Sequence, residues 1–272
     1  MSVQTKTSRV TVSTLRKMKA EGEKIASLTA YDASFAAVLD AAGVDIILVG
    51  DSLGMVIQGH ETTVPVTVDD IVYHSRAVSS RCQRALLMVD MPFMSYTSPE
   101  HALETAKWLM QEGGGQMVKL EGGEREVETV RKLSEQGVPV CAHIGLQPQL
   151  INKLGGYRVQ GREQHQAIQM LEDAVALQEA GADALLLECV PERLAAEITA
   201  NLEIPTIGIG ASPACDGQVL VLQDILGITA GHVPKFARNF LQGNESIQDA
   251  VVSYVAEVKH GTFPASEHCF TD

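Results

Sequence analysis

The sequence predicts an α/β fold, a closed (β/α)8 TIM barrel forming one domain, on three observations. Eight short apolar runs rich in Val, Ile and Leu recur along the chain. Each is followed by a loop and then by an amphipathic stretch that ends on Gly or a turn. The length, 272 residues, is ordinary for a single barrel. Runs that are apolar throughout, instead of alternating, mark strands covered on both faces, and strands alternating with helices mark a parallel sheet. An open doubly wound sheet is the competing architecture. Eight units in about 250 residues favour closure.

The runs occupy residues 25–30, 45–50, 85–89, 116–120, 138–142, 184–187, 205–209 and 218–222. Ahead of them, "TVSTLRKMKAEG" reads as a short helix with Thr11 or Ser13 at its start and Gly22 at its end. This basic, hydroxyl-rich N-terminus faintly resembles an organellar transit peptide, but the short helix is the preferred reading. It lacks the apolar core of a secretory signal. "ASFAAVLDAAG" is a helix ending on Gly43, and Asp32 immediately before it suits its cap. "TVDDIVYHSRAVSS" opens with Thr67 and Asp70 at capping-box spacing. "SPEHALETAKWLMQEGG" has Ser98 as N-cap and Pro99 at the first helical position. "REVETVRKLSEQG", "REQHQAIQMLEDAVALQEAG" and "PERLAAEITANL" supply the next three helices.

Between the fifth run and its helix, "GLQPQLINKLGGYRVQGREQ" has no periodicity, and its length suggests a loop bordering a substrate entrance. The eighth unit is broken by Gly231 and Pro234, so "SIQDAVVSYVAEVKHG" is expected to pack outside the barrel or against another subunit. No linker or composition shift divides the chain. Residues 1–272 therefore read as one barrel domain with a short N-terminal helix and a C-terminal helical extension.

Composition narrows the function classes. A formal net charge of −13 offers no broad electrostatic surface to nucleic acid or anionic lipid. No apolar run approaches the roughly 20 residues that span a bilayer. The five cysteines, an odd number without a C-x-x-C pair, read as reduced thiols of a cytoplasmic protein.

The chemistry gathers where the runs end. Asp32 follows the first run, Asp51 the second, Asp90 the third and Glu121 the fourth; the fifth leads into His143 and the sixth into Glu188. In a barrel these positions meet at the C-terminal mouth, where active sites are built. A strand-end Asp taken alone is usually a turn former or helix cap. That explanation fits Asp90 before Met-Pro-Phe, Glu121 before Gly-Gly and Glu188 before Cys-Val less well. Carboxylates buried together cost several kcal/mol each unless they share positive charge. Oxygen-only ligands point to a hard divalent cation, Mg²⁺ in particular. Asp51, Asp90 and Glu121 come from neighbouring strands, and Glu188 faces them from two strands further round. Strand alternation puts Lys119 on the same side as Glu121, and His143 on the same side as Cys141. Lys119 is either a structural counter-ion or the group that neutralises an anionic substrate. His143 is either a satisfied core histidine or a substrate contact.

Nine motifs occur in order: "TAYDASFA", "VGDSLGMVIQGHETTVPVT", "DMPFMSY", "MVKLEGG", "HIGLQPQ", "GGYRVQGR", "LLLECVP", "IGIGA" and "HVPKFARNF". With them the chain, from about Thr11 to His268, closely resembles the ketopantoate hydroxymethyltransferase family. The resemblance implies a (β/α)8 barrel that transfers a one-carbon unit from 5,10-methylenetetrahydrofolate to the 2-oxo acid 3-methyl-2-oxobutanoate, giving 2-dehydropantoate for pantothenate. It implies Mg²⁺ near Asp51, Asp90 and Glu121, keto-acid contacts from Asp51, Ser52, Asp90 and Lys119, and Glu188 as catalytic base. It further implies a cytoplasmic homo-oligomer, commonly a decamer. The chain departs from the family pattern at Ser212, Cys215, Ala142 and Gln147, positions expected to fall in loops.

Three other readings share some of these features. A metal-dependent C–C lyase, as among phosphoenolpyruvate mutase and isocitrate lyase relatives, shares the barrel and its acidic mouth. A Schiff-base aldolase would use Lys119 as nucleophile. A non-catalytic metal-binding barrel would leave Glu188 without a role.

Overall fold

Eight parallel strands close on one another in sequence order. They are β1 (Ile25–Thr29), β2 (Ile46–Val49), β3 (Leu86–Asp90), β4 (Met117–Glu121), β5 (Val140–Gly145), β6 (Ala184–Glu188), β7 (Thr206–Ile209) and β8 (Gly217–Leu220). The coordinates are a computed structural model and describe residues 8–231 and 233–271. The first residues of the N-terminal stretch and the first residue of "HVPKFARNF" lie outside that description. β8 pairs with β1 over Ile25–Gly217 to Leu28–Leu220, which removes both sheet edges. Every predicted run overlaps its strand, although β3, β4, β5 and β6 continue past the end of their runs and β8 begins one residue before its own. The strands are buried almost throughout because helices cover the outside while side chains fill the inside.

The helices are α1 (Val12–Glu21), α2 (Ala33–Ala41), α3 (Leu53–Val56), α4 (Val68–Ser79), α5 (Pro99–Lys107), α6 (Val127–Glu135), α7 (Ile151–Leu154), α8 (Gln164–Glu179), α9 (Glu192–Asn201), α10 (Leu222–Ile225) and α11 (Ile247–Lys259). The caps read from the sequence form. Thr11 and Thr67 close capping boxes, and the Ser98 hydroxyl accepts from the His101 amide at 3.2 Å. The Asp32 carboxylate accepts from the amides of Ser34 and Phe35 at 2.7 and 3.0 Å, so this strand-end acid is a helix cap.

The eighth unit is the irregular one. Its own helix, α10, is a single turn, and α11 covers the place where β8 meets β1. The Tyr254 hydroxyl of α11 lies 2.9 Å from the Ser27 carbonyl of β1 and 3.1 Å from the Gln218 carbonyl of β8. Lys259 at the end of α11 sits 2.6 Å from the buried Asp45 that precedes β2. The last helix is thus seated on the barrel wall, anchored by one phenol and one ammonium. The aperiodic segment after β5 is partly ordered into a 3-10 turn, Pro148–Leu150, and α7. Of the four departures, Ser212, Cys215 and Gln147 lie in loops. Ala142 does not: it is a buried residue inside β5.

Candidate active site

The register decides which strand-end groups become neighbours. Asp90 of β3 is level with Lys119 of β4, and Glu121 of β4 is level with His143 of β5. Asp51 lies two residues beyond β2. Its amide donates to Asp90 Oδ2 at 2.9 Å. Gly50 makes this approach possible, because a Cβ there would come within 3.3 Å of that same oxygen and 3.0 Å of Ser52 Oγ. Glu188 closes β6 opposite, where Gly145 at φ 92° lets β5 pass under the Glu188 carbonyl; a Cβ at Gly145 would stand 2.3 Å from it.

Of the candidate site residues, Asp51, Asp90, Lys119, Glu121 and His143 are buried, and Ser52 and Glu188 are half-buried. The Lys119 ammonium lies 2.7 Å from Asp90 Oδ1 and 3.5 Å from His143 Nδ1. Burial alone would lower the Lys119 pKa, but the charges of Asp90, Glu121 and Asp51 outweigh it and hold the amine protonated. His143 shows the opposite balance. Burial and then the Lys119 charge push it well below the usual imidazole range, so it is neutral. An ammonium only donates, so Nδ1 accepts and the ring proton belongs on Nε2. That Nε2 makes no aligned hydrogen bond, although Glu188 Oε2 is 3.3 Å away.

The acids respond to their crowding. Burial, reinforced by the Asp90 charge and opposed by Lys119, raises Asp51 to about 7. Burial and the Asp51 charge push Glu121 well above the carboxylate range. Burial likewise raises Glu188 to about 8, with Lys119 opposing and Asp90 adding. Hence Glu188 combines partial exposure with affinity for a proton near neutral pH, the properties of a general base.

Three site residues were not singled out from sequence. Tyr31 holds its hydroxyl 2.8 Å from Ser52 Oγ. Gln149, in the 3-10 turn after β5, reaches Asp51 with its side chain and Glu121 with its amide, at 2.9 and 3.1 Å. The Tyr96 hydroxyl is 2.5 Å from the Gln149 side-chain oxygen. Tyr31, Tyr96 and Gln149 all fall inside quoted motifs, and a polar residue in an otherwise apolar turn was the only signal available.

The donor set fits a hard divalent cation by its chemistry. Asp51, Asp90 and Glu121 offer oxygen alone; Asp51 and Glu121 are raised by burial first and then by a neighbouring carboxylate, Asp90 acting on Asp51 and Asp51 on Glu121, which a cation would relieve. Among the described residues, no three His, Cys, Asp or Glu side chains already stand in a ligand geometry. Two surface depressions, of about 260 and 350 Å³, are lined by none of the site residues; the site is defined by charge and burial instead.

A closed parallel barrel with ionisable side chains massed at the C-terminal ends of its strands defines an enzyme of the (β/α)8 class. Solved structures share that architecture. Oxaloacetate acetylhydrolase aligns with a TM-score of 0.59 at 15% identity, over 93% of this chain and 98% of that one. 2,3-Dimethylmalate lyase, of the PEP mutase/isocitrate lyase superfamily, aligns with a TM-score of 0.58 at 15% identity over 77% of each chain. Identities this low speak for the fold alone. The family model for ketopantoate hydroxymethyltransferase matches residues 9–266. The 3-methyl-2-oxobutanoate hydroxymethyltransferase of Alkalilimnicola ehrlichii is 60% identical over 96% of this chain and 94% of its own length. That of Nitrosococcus oceani is 59% identical over 95% and 98%. The chain belongs to the ketopantoate hydroxymethyltransferase family and is a transferase.

Proposed function

We propose that this enzyme transfers the one-carbon unit of 5,10-methylenetetrahydrofolate to C3 of 3-methyl-2-oxobutanoate, with Mg²⁺, to give 2-dehydropantoate for pantothenate synthesis. The keto acid is the one in the relatives' name. The observation that carries the reading is Glu188, a half-buried carboxyl raised to about 8 beside a neutral His143 and facing three buried acids.

Asp51, Asp90 and Glu121 would hold the Mg²⁺, which when bound supplies Lewis-acid polarisation of a 2-oxo acid. Lys119, kept protonated by those acids, neutralises the substrate carboxylate, and Ser52, oriented by Tyr31, donates to it. His143 stands beside the carboxylate that acts on C3, its Nε2 3.3 Å from Glu188 Oε2. Glu188 removes the C3 proton. Water adds to the one-carbon unit, both of its C–N bonds to the folate break, and the two folate nitrogens take that water's two protons, leaving a carbonyl carbon. The electron pair left on C3 attacks this carbon, and the proton taken by Glu188 passes to its oxygen, which becomes the new hydroxyl. We also propose a cytoplasmic homo-oligomer, a decamer by family resemblance, that uses neither nucleic acid nor membrane as a partner. Among the described residues no helix is long and apolar enough to cross a membrane.

An imine mechanism at Lys119 requires a neutral amine, and the three surrounding acids oppose one. Proton NMR of 3-methyl-2-oxobutanoate in D₂O tests the main reading. The C3 proton signal should fade with enzyme and Mg²⁺ alone, and Glu188→Ala should slow this by about 10²–10⁴-fold. Wild-type enzyme that leaves the signal intact with Mg²⁺ and folate both present would show that Glu188 is not a base at C3.

A further inference from the structure

Gln149 is 3% exposed, and both its side chain and its main-chain amide bond to acids of the site. Its side-chain nitrogen donates to Asp51 Oδ2 at 2.9 Å and to the Met91 carbonyl at 3.0 Å. Its side-chain oxygen accepts from the Tyr96 hydroxyl at 2.5 Å. Its main-chain amide donates to Glu121 Oε2 at 3.1 Å. The carboxamide has one possible orientation. The Met91 carbonyl only accepts, so the nitrogen must face it, and Asp51 lies on that side. The Tyr96 hydroxyl, from the loop between β3 and α5, then fits the opposite, oxygen side.

One residue therefore occupies one oxygen of each of two acids that approach from different strands. Asp51 Oδ1 and Glu121 Oε1 are left over. Oδ1 takes no protein hydrogen bond among the described residues, and Oε1 has only His143 Nδ1, at 3.6 Å. Asp90 is set by other means, with Oδ2 on the Asp51 amide and Oδ1 on Lys119.

We propose that Gln149, oriented by Tyr96, is a positioning residue for the divalent cation: it pins Asp51 and Glu121 so that their remaining oxygens face a common point. This rests on the Mg²⁺ reading of the site. Groups that orient ligands typically control about 10- to 100-fold in metal affinity. The two halves of Gln149 are separable. A substitution removes the hold on Asp51, while the main-chain hold on Glu121 stays.

The test is Mn²⁺ binding to substrate-free enzyme, followed by electron paramagnetic resonance of the free ion. Gln149→Leu should weaken Mn²⁺ by about 10- to 100-fold. Tyr96→Phe, which frees the carboxamide to rotate, should weaken it about 2- to 10-fold, the worth of one hydrogen bond. In an Asp51→Asn background, Gln149→Leu should add almost nothing, which a purely structural role would not predict. A folded Gln149→Leu protein, verified by circular dichroism, with wild-type Mn²⁺ affinity overturns the proposal. If Gln149→Leu does not fold, unchanged affinity in Tyr96→Phe overturns it. Wild-type enzyme that binds no Mn²⁺ fails one step earlier, at the metal reading itself, and takes this proposal with it.

Discussion

Lys119 is the residue on which the site's charge balance turns. It is buried 2.7 Å from Asp90 and is drawn on by Glu121 and Asp51 as well. Breaking a buried pair by removing one partner strands the other charge, at about 3–5 kcal/mol. Lys119→Met should therefore lower the urea-unfolding free energy of the metal-free protein by about that amount. A loss under about 1 kcal/mol would mean that the pair is worth no more than an exposed one. The acids were legible in the sequence because a carboxylate closing an apolar run is costly without a reason. Gln149 was not legible. An amide in an aperiodic stretch carries no charge to explain, and nothing local shows that its turn folds inward over Asp51.

Among the elements, the paired ends of β5 and β6 constrain the catalytic end most tightly. Gly145 has φ 92°, and any Cβ there would stand 2.3 Å from the Glu188 carbonyl. Gly145→Ala must displace the end of β6 or bend β5. It should cost about 1–3 kcal/mol of stability, the usual scale for a residue forced into a strained backbone region. It should also lower kcat more than it raises KM, since the displaced group is the base and not a substrate anchor. Steady-state kinetics beside thermal melts separate the two effects, and an unchanged kcat would show that Glu188 tolerates the shift. The strands, the caps and the longer helices α1, α2, α4, α5, α6, α8 and α9 could be read from runs, periods and capping residues, all of which act within a few positions; the single turns α3 and α7 could not. The seat of α11 could not. Its Tyr254 reaches β1 from 227 residues further along the chain and β8 from 36, and local pattern holds no record of such contacts.

At the scale of the whole molecule, the crowded acids tie stability to pH. Asp51 rises from 3.8 to about 7 on folding, Glu188 from 4.5 to about 8, and Glu121 moves the same way. Each group binds its proton more tightly folded than unfolded. Between the unfolded and folded values the native state therefore holds more protons, and stability falls as pH rises. The metal-free protein should melt at a lower temperature at pH near 8 than near 5.5. A divalent cation competes with those protons, so the rise in Tm on adding Mg²⁺ should grow over the same interval. Melts in chelator and in Mg²⁺ across that range are the check. A Mg²⁺ effect independent of pH would place the cation away from these carboxylates.

By itself the sequence determined the class of architecture, the strands, the acids that close them and the family. Each of these is written in short-range periodicity or in ordered motifs. Only the tertiary structure decided which oxygens face one another, that His143 lies between Lys119 and Glu188, that Gln149 bridges two of the acids, and where the last helix sits. Those outcomes depend on register and barrel closure, which bring groups from distant segments to within 3–4 Å, and at that distance burial and charge set the chemistry.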